Sequence, residues 1–187
     1  PAVAPNGNVW VSDTERDDVQ VFDANGTWLK TIGAPGSEDG QFDNPIYGTF
    51  DADGNFWIPD FGNSRVQVFA PDGTYLWSFG EYGHRTGQWD EPNAVALDGN
   101  GLAFIPDTAS NHVNVFTTDG TFVASWGVAG SQPGQFRFPS NVLLDGQGNI
   151  YVSELDGGRI QKFALNEAAL QTFVTAGGTP AVTPVGA

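Results

Sequence analysis

One spacing dominates this sequence: equivalent residues recur every 47 positions. Asp13, Asp60, Asp107 and Glu154 stand 47 apart, and so do Phe22, Phe69, Phe116 and Phe163. The triplets Gly40-Gln41-Phe42, Gly87-Gln88-Trp89 and Gly134-Gln135-Phe136 keep the same interval, and Pro45, Pro92 and Pro139 follow in step. A fixed period without insertions restricts the chain to repeat architectures, in which each copy shields the flank of the next.

Each repeat reads as four short strands. In the second they are Tyr47–Asp51, Asn55–Asp60, Arg65–Phe69 and Thr74–Phe79, rich in β-branched and aromatic residues and separated by turn residues. Asn25-Gly26, Asp53-Gly54, Asp72-Gly73 and Asp119-Gly120 supply hairpin turns, where glycine or Asx accepts positive φ cheaply. Asn166–Gln171 is the one helix-tolerant stretch. Four strands in such a period is the spacing of a β-propeller blade. A lone blade leaves both faces bare, so Trp10, Trp57, Phe104 and Tyr151 are the expected filler between sheets. Pro59 and Pro106 precede the strand-end acid and predict a bulge or an early strand end there.

Composition narrows the chemistry. Among 187 residues there are 7 Lys and Arg against 22 Asp and Glu, a formal charge of −15. That balance disfavours nucleic acid, whose binders need clustered cations, and anionic membrane surfaces. The apolar runs are too short for a membrane-spanning helix, and zero cysteines exclude disulfides and thiol chemistry. No charged-then-apolar leader precedes Pro1, which reads as a processed or trimmed terminus.

The repeated pattern resembles the NHL repeat. The resemblance rests on Asp60, Asn63-Ser64-Arg65, Val66-Gln67-Val68-Phe69, Asp72-Gly73-Thr74, Phe79-Gly80, Gly87-Gln88-Trp89 and Pro92, and spans roughly residues 2–174. It implies an all-β propeller of four-stranded antiparallel blades, at about 1–32, 45–80, 92–127 and 139–174, followed by a Thr/Pro/Ala/Gly-rich tail or linker at 175–187. NHL propellers usually have six blades. The expectation is therefore part of a larger propeller, or an arc completed by another chain through open blade edges.

In the resemblance, Asp13, Asp60, Asp107 and Glu154 support the turn that follows them, through an Asn and an Arg. Arg65 and Arg159 fit that role; Asp18 and His112 stand at the same register in the other repeats. The alternative is a ring of four acids near one opening, able to hold a cation or a basic ligand. Asp51, Asp53 and Asn55 place oxygen ligands at alternate positions, as calcium loops do, although they also suit an Asx-stabilised hairpin. Glu81, Tyr82, His84 and Arg85 mark the tip of a long inter-blade loop, a common place for partners. His84 reads as a solvated loop residue and His112 as a stand-in for Arg65.

No nucleophile–base pair, phosphate-binding glycine loop or thiolate–imidazole metal set is present. The sequence points to a non-enzymatic, acidic propeller scaffold that binds a protein or other macromolecule outside the cytoplasm, extracellular or periplasmic, with a calcium ion as the one candidate cofactor. The alternative is a propeller lyase or hydrolase using a channel-bound calcium ion or carboxylates.

Overall fold

The computed structural model describes residues 1–85, 87–165 and the strand Thr183–Pro184. Strands β1 (Ala2–Val3), β2 (Val9–Asp13), β3 (Asp18–Phe22) and β4 (Trp28–Ile32) form the first sheet. The second contains β5 (Thr49–Phe50), β6 (Phe56–Asp60), β7 (Arg65–Phe69) and β8 (Tyr75–Phe79). The third contains β9 (Ala96–Leu97), β10 (Leu102–Asp107), β11 (His112–Thr117) and β12 (Phe122–Trp126). In the fourth, β13 (Pro139–Leu144), β14 (Asn149–Glu154) and β15 (Ile160–Ala164) are joined by β16 (Thr183–Pro184). Every sheet is an antiparallel meander in chain order, which is the blade topology. The helix-tolerant stretch Asn166–Gln171 lies outside the described residues. Within the segment read as a tail, Thr183 and Pro184 pair with Ala164 and Phe163 as the outer strand of the last sheet.

The chain divides into two compact units, Pro1–Tyr82 and Gly83–Ala187, with two sheets in each. In the first, Trp10 packs on Phe50 and Phe56 of the neighbouring sheet, at ring-centroid distances of 5.3 and 4.9 Å. In the second, Phe163 takes Phe136 at 5.7 Å and Trp126 at 5.9 Å. Burying each such aromatic is worth about 1.5–3 kcal/mol, which is why the sheets pair through these rows. Trp10, Trp57 and Phe104 are buried as expected. Tyr151, at the same register, is only half-buried. Its hydroxyl donates to Asp145, and Lys162 lies 5.4 Å from its ring centroid.

Pro59 and Pro106 do not interrupt their strands. They pair in register with Val66 and Val113, and the bulges among the described residues fall instead at Val21/Phe22, Val68/Phe69, Val115/Phe116 and Pro139/Asn141. The Pro59 carbonyl accepts from the Ile46 amide at 3.1 Å, and that of Pro106 from Asn93 at 3.1 Å. In an extended strand a residue's N–H and C=O point the same way. The missing proton therefore faces the two-residue inner strand, and the ladder to β7 or β11 loses nothing.

Each turn between the second and third strands ends on a left-handed residue: Asp17, Ser64, Asn111 and Gly158, with φ of 54, 51, 58 and 58°. Two of these also tie adjacent blades together. Asp17 Oδ1 accepts from the Asn44 amide at 2.7 Å, and Asn111 Oδ1 from the Phe138 amide at 2.9 Å. Thr108 adds a further inter-blade tie, its hydroxyl donating to the Pro139 carbonyl at 2.8 Å.

Candidate functional site: the acid-headed turns and the third-blade pocket

Asp13, Asp60, Asp107 and Glu154 each close the second strand of their blade. Asp60 has no solvent exposure, and it is ringed by donors: the Asp43 amide at 2.8 Å, Asn63 Nδ2 at 2.9 Å, Arg65 Nε at 2.8 Å and Gln67 Nε2 at 2.9 Å. Burial pushes its carboxyl above the ordinary value, against the opposing pull of the Asp43 amide, Asn63 and Arg65. Arg65 Nη2 continues to the carbonyls of Glu38 and Gln41, at 2.8 and 2.9 Å. Gln67 donates to the Gln41 carbonyl at 2.6 Å and accepts from the Gly40 amide at 3.0 Å. The acid therefore clamps a whole inter-blade loop through two long side chains.

The fourth blade repeats this. Glu154 Oε1 accepts from Arg159 Nε at 2.7 Å and from Gln161 Nε2 at 2.8 Å. Arg159 reaches the carbonyls of Ser131, Gln132 and Gln135 at 2.5, 3.2 and 2.9 Å. The first blade has a looser version, with Arg16 at 3.8 Å from Asp13 and 3.3 Å from Asp18, and largely exposed.

The third blade breaks the pattern. The three donors of the second blade, Asn63, Arg65 and Gln67, become Ser110, His112 and Asn114 at the 47-residue spacing. All three replacements are shorter. Asp107 is 1% exposed, yet it accepts only from the backbone amides of Asp90, Glu91 and Ser110, at 3.2, 3.1 and 3.3 Å. Among the described residues no side-chain donor and no cation reaches it. His112 holds the register of Arg65 without replacing its contact, because an imidazole is too short. Beside it lies a pocket of 430 Å³, with Asp107, Ser110, His112 and Asn114 in its wall and His84 and Arg85 at its exposed edge. Asn114 is 4% exposed and lines the same pocket. The Glu91 carboxyl next to this wall is raised, by burial first and then by the charges of Asp90 and Asp107.

Of the residues singled out from sequence, the fold brings Asp107, His84 and Arg85 together. Glu81 and the exposed Tyr82 close the first unit. The grouping of both histidines around Asp107 was not read from the sequence; the signal was present as simultaneous shortening at three registers of one repeat.

Asp51, Asp53 and Asn55 form a hairpin turn. Asp51 Oδ1 accepts the amides of Asp53 and Asn55 at 3.0 and 2.8 Å, and Oδ2 accepts Asn55 Nδ2 and Trp57 Nε1 at 2.9 and 3.0 Å. These bonds are those of an Asx-stabilised hairpin. Among the described residues no cluster of three or more His, Cys, Asp or Glu could hold a metal. No helix among them is long and apolar enough to cross a membrane.

These features define a β-propeller protein: all-β, with four four-stranded antiparallel blades. No protein-family profile matches the chain, and no curated protein sequence does. Solved propellers do. A streptogramin B lyase superposes with a TM-score of 0.65 at 15% identity, over 87% of this chain and 49% of its own. A catalytically inactive virginiamycin B lyase from Staphylococcus aureus with quinupristin gives 0.68 at 14%, over 99% and 54%. The nidogen/laminin complex gives 0.66 at 16%, over 88% and 58%. The chain thus spans about half the length of the structures it matches. At these identities the likeness is one of fold.

Proposed function

We propose that this chain is the blade array of an NHL-type propeller that serves as a non-enzymatic binding module, engaging a basic protein or peptide through the third blade. The observation that carries this reading is Asp107: a buried carboxylate without side-chain donors, facing an open pocket where two sister blades are filled. The formal charge of −15 steers cationic partners toward it. The Thr/Pro/Ala/Gly-rich segment 175–187 and the fold likeness to the nidogen/laminin complex support a place outside the cytoplasm.

Calorimetry with a panel of basic and acidic peptides tests it. Saturable binding confined to the basic members and lost in Asp107→Asn is expected. Binding of acidic members instead, or of none, removes the proposal.

A second reading, a proton-transferring lyase or hydrolase, is favoured by the presence of both histidines at the same pocket. Turnover of a substrate that disappears in His84→Ala and His112→Ala would carry it.

A further inference from the structure

We propose that the third-blade pocket is a receptor for a guanidinium group, occupied by an arginine side chain of the partner. This rests on the binding function proposed above and names the group that is bound.

The molecule builds a guanidinium cradle twice from its own residues. In the second blade a strand-end carboxylate takes Arg65 Nε, and the loop carbonyls of Glu38 and Gln41 take Nη2. In the fourth blade Glu154 and the carbonyls of Ser131, Gln132 and Gln135 hold Arg159 in the same way. Each cradle is an acid at a strand end and a loop whose carbonyls converge beside it.

The third blade keeps the acid and the loop. Asp107 is buried at the same register. The Gly83 amide donates to the Trp89 carbonyl at 3.0 Å, as Gly36 does to Phe42 at 2.9 Å and Gly130 to Phe136 at 3.0 Å. The Gln88 amide donates to the Arg85 carbonyl at 2.9 Å, matching Gln41 to Glu38 and Gln135 to Gln132, both at 3.0 Å. The backbone that lines a cradle is therefore reproduced, while the side chains that would fill it are cut back to His112 and Asn114. An intact cradle without its arginine is a site for one supplied from outside.

The chemistry selects among cations. A guanidinium is planar and offers several donors in a fork, so it can serve a carboxylate and flanking carbonyls together; an ammonium is a compact point charge that cannot span them. Asp107 is the only carboxylate in the pocket wall, too few for a hard divalent cation. Asn114, buried in the same wall, supplies one more polar contact. Arg85 at the exposed edge repels a second positive charge, so the fitting ligand is a single arginine flanked by neutral or acidic residues.

The test is an NMR titration with N-acetyl-arginine methylamide and its lysine counterpart, read at the imidazoles of His84 and His112 and the carboxamide of Asn114. Since His84 and His112 are the only histidines, their signals assign directly. Saturable shifts at His84, His112 and Asn114 are expected, with the lysine compound weaker by about tenfold or more. The His112→Arg/Asn114→Gln variant, which gives the third blade the Arg and Gln of the second, should abolish the arginine response at His84, the reporter it retains, while melting no lower than wild type. If that variant fails to fold, Asn114→Gln alone serves, with weakened arginine binding expected. Equal affinity for the lysine compound overturns the guanidinium assignment and leaves the binding proposal standing. No response at His112 or Asn114 to either compound overturns both. Arginine shifts that survive the filled variant place the binding elsewhere and overturn the assignment.

Discussion

Arg65 Nε meets Asp60 Oδ2 at 2.8 Å, with the carboxylate wholly out of solvent and the guanidinium nearly so. Removing one partner of such a pair leaves a buried charge uncompensated, so Arg65→Met should cost about 3–5 kcal/mol in urea unfolding. The exposed Arg16, at 3.8 Å from Asp13, should lose less than about 1 kcal/mol on the same substitution. Equal losses at the two sites would contradict the view that burial, not proximity, sets the difference.

Filling the third-blade pocket should stabilise the protein. His112→Arg/Asn114→Gln gives Asp107 the donors its sister acids have, worth about 1–3 kcal/mol for hydrogen bonds to a charged group. A higher melting temperature than wild type is the expected readout. A natural sequence that forgoes this gain fits a site kept open for a ligand.

Thr108 ties the third blade to the fourth through a buried hydrogen bond to the Pro139 carbonyl at 2.8 Å. Thr108→Val keeps the shape and leaves that carbonyl without its donor, at a cost of about 1–2 kcal/mol. Hydrogen exchange should show increased opening at the start of β13.

The hairpin aspartates set the acid response. Asn149 Nδ2 donates to Asp145 at 2.6 Å, and together with the Gln147 and Asn149 amides this lowers the Asp145 pKa from 3.8 to about 2. Asp23, Asp72 and Asp119 are lowered as well, chiefly by hydrogen bonds from Thr27, Thr74 and Thr117 respectively. A depressed carboxylate stabilises the fold above its unfolded pKa and loses that contribution as pH falls through its folded value. The stability advantage of wild type over Asp145→Asn should therefore be largest above about pH 4 and shrink toward about pH 2. Chemical denaturation at several pH values measures it, and an advantage that grows on acidification would refute the assignment.

Much of the fold was legible because a repeat supplies several readings of one pattern. Arg65–Phe69 was read with the bounds it has, and the four acids were placed at strand ends where they lie. Pro59 and Pro106 read as sites of a bulge or an early strand end and are neither, because the sequence shows that a donor is missing but not which way it would have pointed. Tyr151 was grouped with the buried filler, since period alone does not reveal whether a neighbouring face covers it.

The 47-residue spacing by itself determined the blades, their turns and the acid that heads each second strand, because local strand and turn preferences repeat with the residues that cause them. Which acid is left beside an open pocket depends on the tertiary structure. Asp60, Asp107 and Glu154 are alike in one dimension, and they part company because side-chain length matters only when the opposing loop is near enough to be reached. Arg65 and Arg159 reach it, whereas His112 falls short, and an open pocket remains beside Asp107.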